Sequence, residues 1–148
     1  MKILVTGSSG FLGSHIVDAT TEAGHQVVVF DAKPSPWLQP GQPMIVGDIL
    51  DAGAVREAMV GCGAVFHLAA IADIGVASTQ PRKTIEVNVL GTLNMLEAAR
   101  AEKIDRFVFA SSIYVYSDQG SFYRTFKHSC FYFIDDYRRE FGLNYTIL

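Results

Sequence analysis

MKILVTGSSGFLG, residues 1–13, opens this chain of 148 residues and decides its fold. An apolar run, Ile3 to Val5, leads into three glycines spaced three apart, and a helical pattern follows them. Unpaired backbone N–H groups at the start of a helix bind anions, and the helix dipole strengthens that attraction. Glycines let the chain turn sharply and let a diphosphate approach the backbone closely. The stretch therefore predicts a strand, a tight turn and a helix that bind a dinucleotide through Gly7, Gly10 and Gly13.

The composition excludes several classes of protein. The chain is 49% hydrophobic, carries a formal net charge of −3 and has no basic tract, so neither nucleic acid nor a membrane surface is an expected partner. Two cysteines, Cys62 and Cys130, make no disulfide framework. The apolar run after Lys2 is too short for a signal peptide, and no run of about 18 apolar residues could span a membrane. We expect one cytoplasmic domain over residues 1–148, with no metal site.

Strand-like runs alternate with helical patterns along the chain. Strands are predicted at 2–6, 26–30, 43–47, 64–68, 106–110 and 145–148, and helices at 11–23, 51–60, 82–101 and 122–141. The strands are short and apolar throughout, which is typical of a parallel sheet covered on both faces. The pattern predicts an α/β fold with a doubly wound parallel sheet.

An acidic residue stands where a dinucleotide site needs one. Asp31 follows the apolar run Val27 to Phe30 and lies 18 residues after Gly13. A carboxylate at the end of the second strand accepts hydrogen bonds from the ribose hydroxyls of an adenosine. It repels a 2′-phosphate, which favours NAD over NADP, and Lys33 nearby softens that repulsion. The alternative is an ordinary tight turn with Asp31 as its cap.

Two more strand ends offer contacts to a ligand, because open α/β sheets bind at the carboxyl ends of their strands. Asp48 follows the third strand and can accept from an adenine amino group, or it can cap a helix that begins near Asp51. His67 ends the fourth strand, and the small residues after it let a cofactor lie against the backbone. A histidine in this place is more often packed than catalytic.

A tyrosine and a lysine are spaced for shared chemistry. Tyr123 and Lys127 lie four residues apart on a predicted helix, and Ser112 follows the fifth strand. Tyrosine acts as a general base near neutral pH only when its pKa falls by about 3 units, which a nearby ammonium and a positive nicotinamide ring can supply. Ser112 would hold the substrate oxygen. By spacing alone, a surface pair is the commoner explanation.

Taken together, the motifs resemble the extended short-chain dehydrogenase/reductase family, and within it the NAD-dependent epimerase/dehydratase group that acts on nucleotide sugars. The matching segments keep the family's order along nearly the whole chain: TGSSGFLG at 6–13, GDI at 47–49, HLAA at 67–70, NVLGT at 88–92, SSIYVY at 111–116 and YRTFK at 123–127. The resemblance implies a Rossmann-type domain that binds NAD. It also implies a reaction in which a sugar carbon is oxidised to a ketone and the hydride is then returned.

The resemblance assigns roles to individual residues. The implied catalytic residues are Ser112, Tyr123 and Lys127. The implied cofactor-binding residues are Gly7, Gly10, Phe11, Leu12, Gly13, Asp31, Asp48, Ile49, Leu68, Ala69, Ala70, Asn88, Tyr123 and Lys127.

Three departures from the family pattern leave a second hypothesis open. The segment from Ile113 to Gly120 is short, the bulky Phe126 stands where a small residue is usual and could displace Lys127, and family members are about twice as long. The resemblance implies that most of the sugar pocket lies in a further C-terminal half, which we do not expect within these 148 residues. The alternative is therefore a dinucleotide-binding protein without catalysis, and a plain interaction domain is a third, weaker hypothesis.

The last predicted helix is rich in aromatic residues. Phe122, Phe126, Phe133, Tyr137 and Phe141 recur at spacings of four or seven. Packing on the sheet explains part of this stripe. The resemblance also implies a homodimer built through helices 82–101 and 122–141.

Overall fold

A computed structural model describes residues 1–148 and contains one sheet of six strands, all parallel. The strands are β1 (Lys2–Thr6), β2 (Gln26–Asp31), β3 (Met44–Val46), β4 (Ala64–His67), β5 (Arg106–Phe109) and β6 (Tyr145–Ile147). They lie in the order β3-β2-β1-β4-β5-β6. The chain runs outward from β1 to β3 and then returns to β4, so the winding reverses between β1 and β4. The predicted doubly wound parallel sheet is confirmed.

Helices cover both faces of the sheet. They are α1 (Phe11–Glu22), α2 (Ala52–Met59), α3 (Ile74–Thr79), α4 (Pro81–Ile85), α5 (Gly91–Ala101) and α6 (Ser121–Phe141). A π-helical segment, Glu86–Leu90, joins α4 to α5, and a 3₁₀ turn spans Ile113–Tyr116. None of these helices combines the length and apolar character that a membrane crossing requires.

Alternation along the strands builds two cores. In β1, Leu4 belongs to the larger core beneath α2, α5 and α6, whereas Ile3 and Val5 belong to the smaller core beneath α1. Successive side chains of a strand point to opposite faces, so one apolar strand serves both layers. Val65 and Phe107 are fully buried in the larger core. This burial on two sides explains why the strands are apolar throughout.

The predicted helix over 82–101 is wrong in detail, because it is interrupted by the π-helical segment. The Asn88 carbonyl accepts a hydrogen bond from the Thr92 hydroxyl at 2.7 Å and another from the Cys130 thiol at 3.0 Å. Side chains thus satisfy a carbonyl inside the widened turn. Helix α3 was not predicted, although Asp73 caps it by accepting from the Val76 N–H at 2.8 Å.

The aromatic stripe of α6 divides between core and surface. Phe126 is buried, whereas Phe122, Phe133 and Phe141 are exposed. The buried face of the helix instead carries Tyr123, Phe126, Lys127, Cys130 and Ile134. Packing on the sheet therefore accounts for only part of the aromatic content of this helix.

Candidate active site

The turn between β1 and α1 has no room for side chains. Gly7 adopts a φ of +69°, and a Cβ there would lie 2.6 Å from the Ala69 nitrogen. A Cβ on Gly13 would lie 2.1 Å from the Gly7 oxygen. Gly10 begins α1 without any side-chain cap, so N–H groups of the first helical turn remain available to a ligand. The turn thus has the geometry of an anion site.

Asp31 is held in place at the end of β2. Its carboxylate accepts hydrogen bonds from the Ser9 N–H at 2.9 Å and the Lys33 N–H at 3.1 Å. Two backbone donors fix the carboxylate beside the glycine-rich turn while leaving lone pairs for further donors. The turn-cap interpretation is therefore correct as far as it goes, and it does not conflict with a ligand role.

Asp48 and Ile49 lie at the adjoining end of the cleft. Asp48 accepts from the Leu50 N–H at 2.9 Å, whereas α2 is capped by Asp51. The suggestion that Asp48 caps this helix is wrong. Ile49 packs so closely on the start of α5 that a Cβ on Gly91 would lie 2.5 Å from its Cδ1.

His67 is a packed histidine. Its Nδ1 lies 2.8 Å from the Thr6 hydroxyl and its Nε2 lies 3.0 Å from the Thr92 hydroxyl. Thr92 donates its own proton to the Asn88 carbonyl, so Nε2 of His67 is the donor and Nδ1 accepts from Thr6. Burial, aided by the charge of Lys127, lowers the pKa of His67 to about 3. A neutral imidazole therefore joins β1, β4 and α5.

Asn88 holds a loop instead of facing the cleft. Its side-chain oxygen accepts from the Ile71 N–H at 2.7 Å, and its amide donates to the Ile71 carbonyl at 3.0 Å. Asn88 is buried and does not line the cleft. The predicted direct cofactor contact is thus replaced by support of the segment after β4.

Lys127 carries a buried positive charge at the other end of the cleft. Its ammonium donates to the Ala110 carbonyl at 2.7 Å and lies 4.6 Å from the centre of the Phe109 ring and 5.7 Å from that of Tyr123. Burial lowers the pKa of Lys127 to about 8. Phe126 does not displace the lysine, because its ring is buried and stacks on Phe122. That expectation was wrong.

Tyr123 is not activated by Lys127 alone. Burial raises the pKa of Tyr123, and the nearby Ser112 hydroxyl opposes that rise. The expected lowering by the lysine ammonium is therefore absent. Ser112 accepts from the Tyr114 N–H at 3.3 Å and so begins the 3₁₀ turn.

A cleft of about 850 Å³ at the carboxyl ends of the strands brings most predicted residues together. Its lining contains Gly7, Gly10, Phe11, Leu12, Gly13, Asp31, Asp48, Ile49, Leu68, Ala69, Ala70, Tyr123 and Lys127, but neither Ser112 nor Asn88. Sequence reasoning missed Ser9, Phe30, Ala32, Gly47, Ile71, Ala72, Lys83, Val87, Ala110 and Ser111 as lining residues. Most of these adjoin a predicted motif, but Lys83 and Val87 lie on a helix wall that no local pattern marks.

The family follows from a match along almost the entire chain. A sequence model of the NAD dependent epimerase/dehydratase family matches residues 3–148. The chain belongs to this family. NAD is the cofactor on which the family depends, and the cleft described above is this member's strand-end crevice.

Individual relatives differ in what they act on. A 3-beta-hydroxysteroid dehydrogenase of Mycolicibacterium neoaurum is 39% identical over 116 residues, a match that covers 75% of this chain and 32% of that protein. A UDP-glucose 4-epimerase of Klebsiella pneumoniae is 34% identical over 131 residues, covering 80% of this chain and 94% of that protein. The UDP-glucose 4-epimerase of Thermus thermophilus, solved in complex with NAD, superposes with a TM-score of 0.92 at 32% identity. This match covers 99% of the chain but 54% of the epimerase, so the chain spans about half the length of that relative.

Proposed function

We propose that this chain binds NAD in the strand-end cleft. The diphosphate would lie on the uncapped start of α1, the adenosine ribose at Asp31 and the adenine beside Asp48 and Ile49. The nicotinamide would then lie over the small residues 68–70, near Tyr123. The fit is supported by the glycine-rich turn, where an added Cβ would collide with backbone, and by the carboxylate that two N–H groups hold beside it. NAD-bound relatives of the same fold support it independently.

The reaction that best suits the site is the reversible oxidation of a secondary alcohol on a nucleotide sugar. NAD would supply the hydride acceptor. Tyr123 would take the hydroxyl proton while the hydrogen on the same carbon leaves as hydride, so that the carbon becomes a ketone. Ser112, beside Tyr123, would hold the substrate oxygen. Return of the hydride to the opposite face of the ketone, with Tyr123 giving the proton back to the oxygen, would yield the epimer with no net change in the cofactor.

The observation that carries this proposal is that Tyr123 and Lys127 line the same cleft as Asp31 and the glycine-rich turn. Because the pKa of Lys127 is about 8, its side chain is largely protonated at neutral pH. The ammonium lies 5.7 Å from the centre of the Tyr123 ring. Burial and, to a smaller extent, Tyr114 raise the pKa of Tyr123 against the opposing effect of the Ser112 hydroxyl, so further positive charge entering the site would favour the tyrosine as a base. Oxidised nicotinamide is such a charge.

Calorimetric titration with NAD tests binding first. Wild-type chain should bind saturably, Gly10→Val should abolish binding, and Asp31→Ala should weaken it. UDP-glucose is then added with NAD, and its conversion is followed by chromatography. Tyr123→Phe should remove turnover while leaving NAD affinity within about twofold, because one hydroxyl is lost from a site held mainly by backbone groups. NAD binding without turnover in wild type would instead favour a dinucleotide-binding protein without catalysis.

A second candidate is a simple dehydrogenase of an apolar alcohol. It is favoured by the 39% identity to a hydroxysteroid dehydrogenase and by two exposed apolar side chains, Ile113 and Tyr116, in the turn after Ser112. The two reactions leave different products. Oxidation of a 3-beta-hydroxysteroid would produce NADH in proportion to the ketone formed, whereas epimerisation of a nucleotide sugar would produce no net NADH.

A homodimer through helices α5 and α6 is also proposed. The exposed rings of Phe122, Phe133 and Phe141, together with Leu90 just before α5, form apolar surface on this side of the molecule. Sedimentation velocity should show a dimer, and Phe133→Glu should shift it to monomer. A wild-type chain that sediments as a monomer at all concentrations would contradict the proposal.

A further inference from the structure

Two cations in the cleft have no partner for their ammonium groups: Lys33, two residues after Asp31 at the end of β2, and Lys83 on α4. The charged side chains of the lining are Asp31, Asp48, Lys33, Lys83 and Lys127. Lys127 donates to a carbonyl, and Asp31 accepts from two backbone N–H groups. Lys83 is exposed, and its ammonium makes neither an ion pair nor a hydrogen bond. Its charge is therefore free to meet a ligand.

The position of Lys83 is fixed by the helical segment that forms one wall of the cleft. Gly91, at the start of α5, packs on Ile49, and Val87 and Lys83 line the cleft further back along the same segment. Thr84, next to Lys83, is fully buried and donates to the Gln80 carbonyl at 3.0 Å, which anchors this turn. Lys83 thus extends from an anchored backbone and lines the cleft together with Ile71 and Ala72.

The glycine-rich turn by itself offers a diphosphate only partial charges. The start of α1 presents backbone N–H groups and the positive end of a helix dipole, which together amount to about half an elementary charge. A diphosphate carries two negative charges, so these partial charges leave part of its charge uncompensated. Lysine binds phosphate as a point charge on a flexible side chain. A lysine beside the ligand would therefore compensate the negative charge that the helix start leaves.

We propose that Lys83 binds a diphosphate oxygen of a ligand lying in the cleft and holds it against the start of α1. The inference rests on the proposed dinucleotide function and adds a residue that no local motif marks. The same chemistry is present in the diphosphate of NAD and in that of a nucleotide-sugar substrate. We assign Lys83 to NAD, because Lys83 lines the same cleft as the glycine-rich turn and Asp31.

The chain offers a matched control for the test. Arg82 precedes Lys83 on α4, is equally exposed and does not line the cleft. Lys83→Met and Arg82→Met each remove one positive charge, and Lys83→Arg retains it. Calorimetry measures the affinity of each variant for NAD, ADP-ribose, adenosine and UDP, and thermal unfolding confirms that each variant folds.

Lys83→Met should weaken NAD and ADP-ribose roughly five- to tenfold at low salt, with the difference shrinking as salt rises. Arg82→Met should change little, and Lys83→Arg should restore most of the loss. Adenosine, which has no phosphate, should bind all variants alike. If Lys83→Met changed the affinity for UDP alone, the assignment to NAD would be overturned and the contact would be with the substrate's diphosphate.

Three outcomes would overturn the proposal altogether. Equal weakening of adenosine and NAD would mean that Lys83 packs on the nucleoside. Unchanged NAD affinity in Lys83→Met, with wild type binding NAD normally, would leave the proposed function intact and remove only the role of Lys83. If wild type bound neither NAD nor UDP, the proposed function itself would fail, and the role of Lys83 with it.

Discussion

The turn after β1 and the inner face of α6 line the same cleft, but they are built differently. Between Gly7 and Gly13 the backbone makes the site, and a Cβ added at Gly7 or Gly13 would collide with neighbouring main chain. On α6 the side chains of Tyr123 and Lys127 make the site, and Lys127 keeps its charge at a cost in desolvation. A backbone-built site does not tolerate added side-chain volume, whereas a side-chain-built site is sensitive to pH and to substitutions that change charge. The two regions should therefore fail in different ways.

The largest effect is expected from adding volume to the backbone-built region. Gly13→Val would place Cβ about where the Gly7 carbonyl oxygen lies. Because backbone on both sides must move, we expect a loss of more than about 4 kcal/mol in the free energy of unfolding and no measurable NAD binding. Urea unfolding and calorimetry measure the two effects. Gly24→Ala is the control, since Gly24 has a φ of +82° but no atom near its added Cβ, and it should keep NAD affinity.

Next in size is an acid effect at His67, which joins β1, β4 and α5. Its pKa is about 3 in the folded chain against 6.5 when unfolded, so the unfolded state binds more protons between these values. Stability should therefore fall as pH drops from about 6.5 to 3, by as much as about 4 kcal/mol. His67→Gln should flatten this part of the profile, whereas the exposed His15→Gln should not. Parallel profiles for wild type and His67→Gln would contradict the assignment of a neutral buried imidazole.

In the side-chain-built region, one substitution should raise stability and lower function. Lys127→Met removes a buried charge, so the free energy of unfolding at pH 7 should rise by up to about 3 kcal/mol. Since the folded pKa is about 8 against 10.5 unfolded, wild type recovers stability as pH rises through that interval. The gain should therefore disappear above about pH 10.5.

Denaturant titrations at pH 7 and pH 10.5 measure this prediction, with the exposed Lys33→Met as control. NAD affinity and turnover should fall in Lys127→Met even where stability rises. A variant that is destabilised at pH 7 would show that the hydrogen bond to Ala110 outweighs the desolvation of the ammonium.

The smallest expected effect is at Asp31, a side chain beside the backbone-built region. Asp31→Asn keeps the shape of the residue and one acceptor oxygen but removes the charge. NAD should bind roughly tenfold more weakly, NADP should approach NAD in affinity, and stability should change by less than about 1 kcal/mol. Competition calorimetry with both dinucleotides measures the ratio. An unchanged preference for NAD over NADP would show that the carboxylate does not select the cofactor.

Local pattern predicts most of the adenosine end of the cleft because its chemistry depends on residues close in sequence. A strand, three glycines and Asp31 fall within the first 31 residues, and the structure places them together at the ends of two adjacent strands. The same reasoning predicts less at Asn88. The family resemblance implies a ligand contact there, but the side-chain hydrogen bonds of Asn88 are to Ile71, seventeen positions away, and only packing decides which way the amide faces.

The sequence by itself determined the parallel α/β fold, the glycine-rich turn and the spacing of Tyr123 and Lys127, because these depend on periodicity, backbone freedom and short separations. Only the tertiary structure decided the charge states of His67 and Lys127 and which residues form the cleft wall that contains Lys83. Burial sets the pKa of His67 and Lys127, and no local pattern records how much solvent a fold removes. Inside the π-helical interruption, the Asn88 carbonyl likewise accepts from the Cys130 thiol 42 positions away, and Lys83 lines the cleft only because its helical segment packs across it.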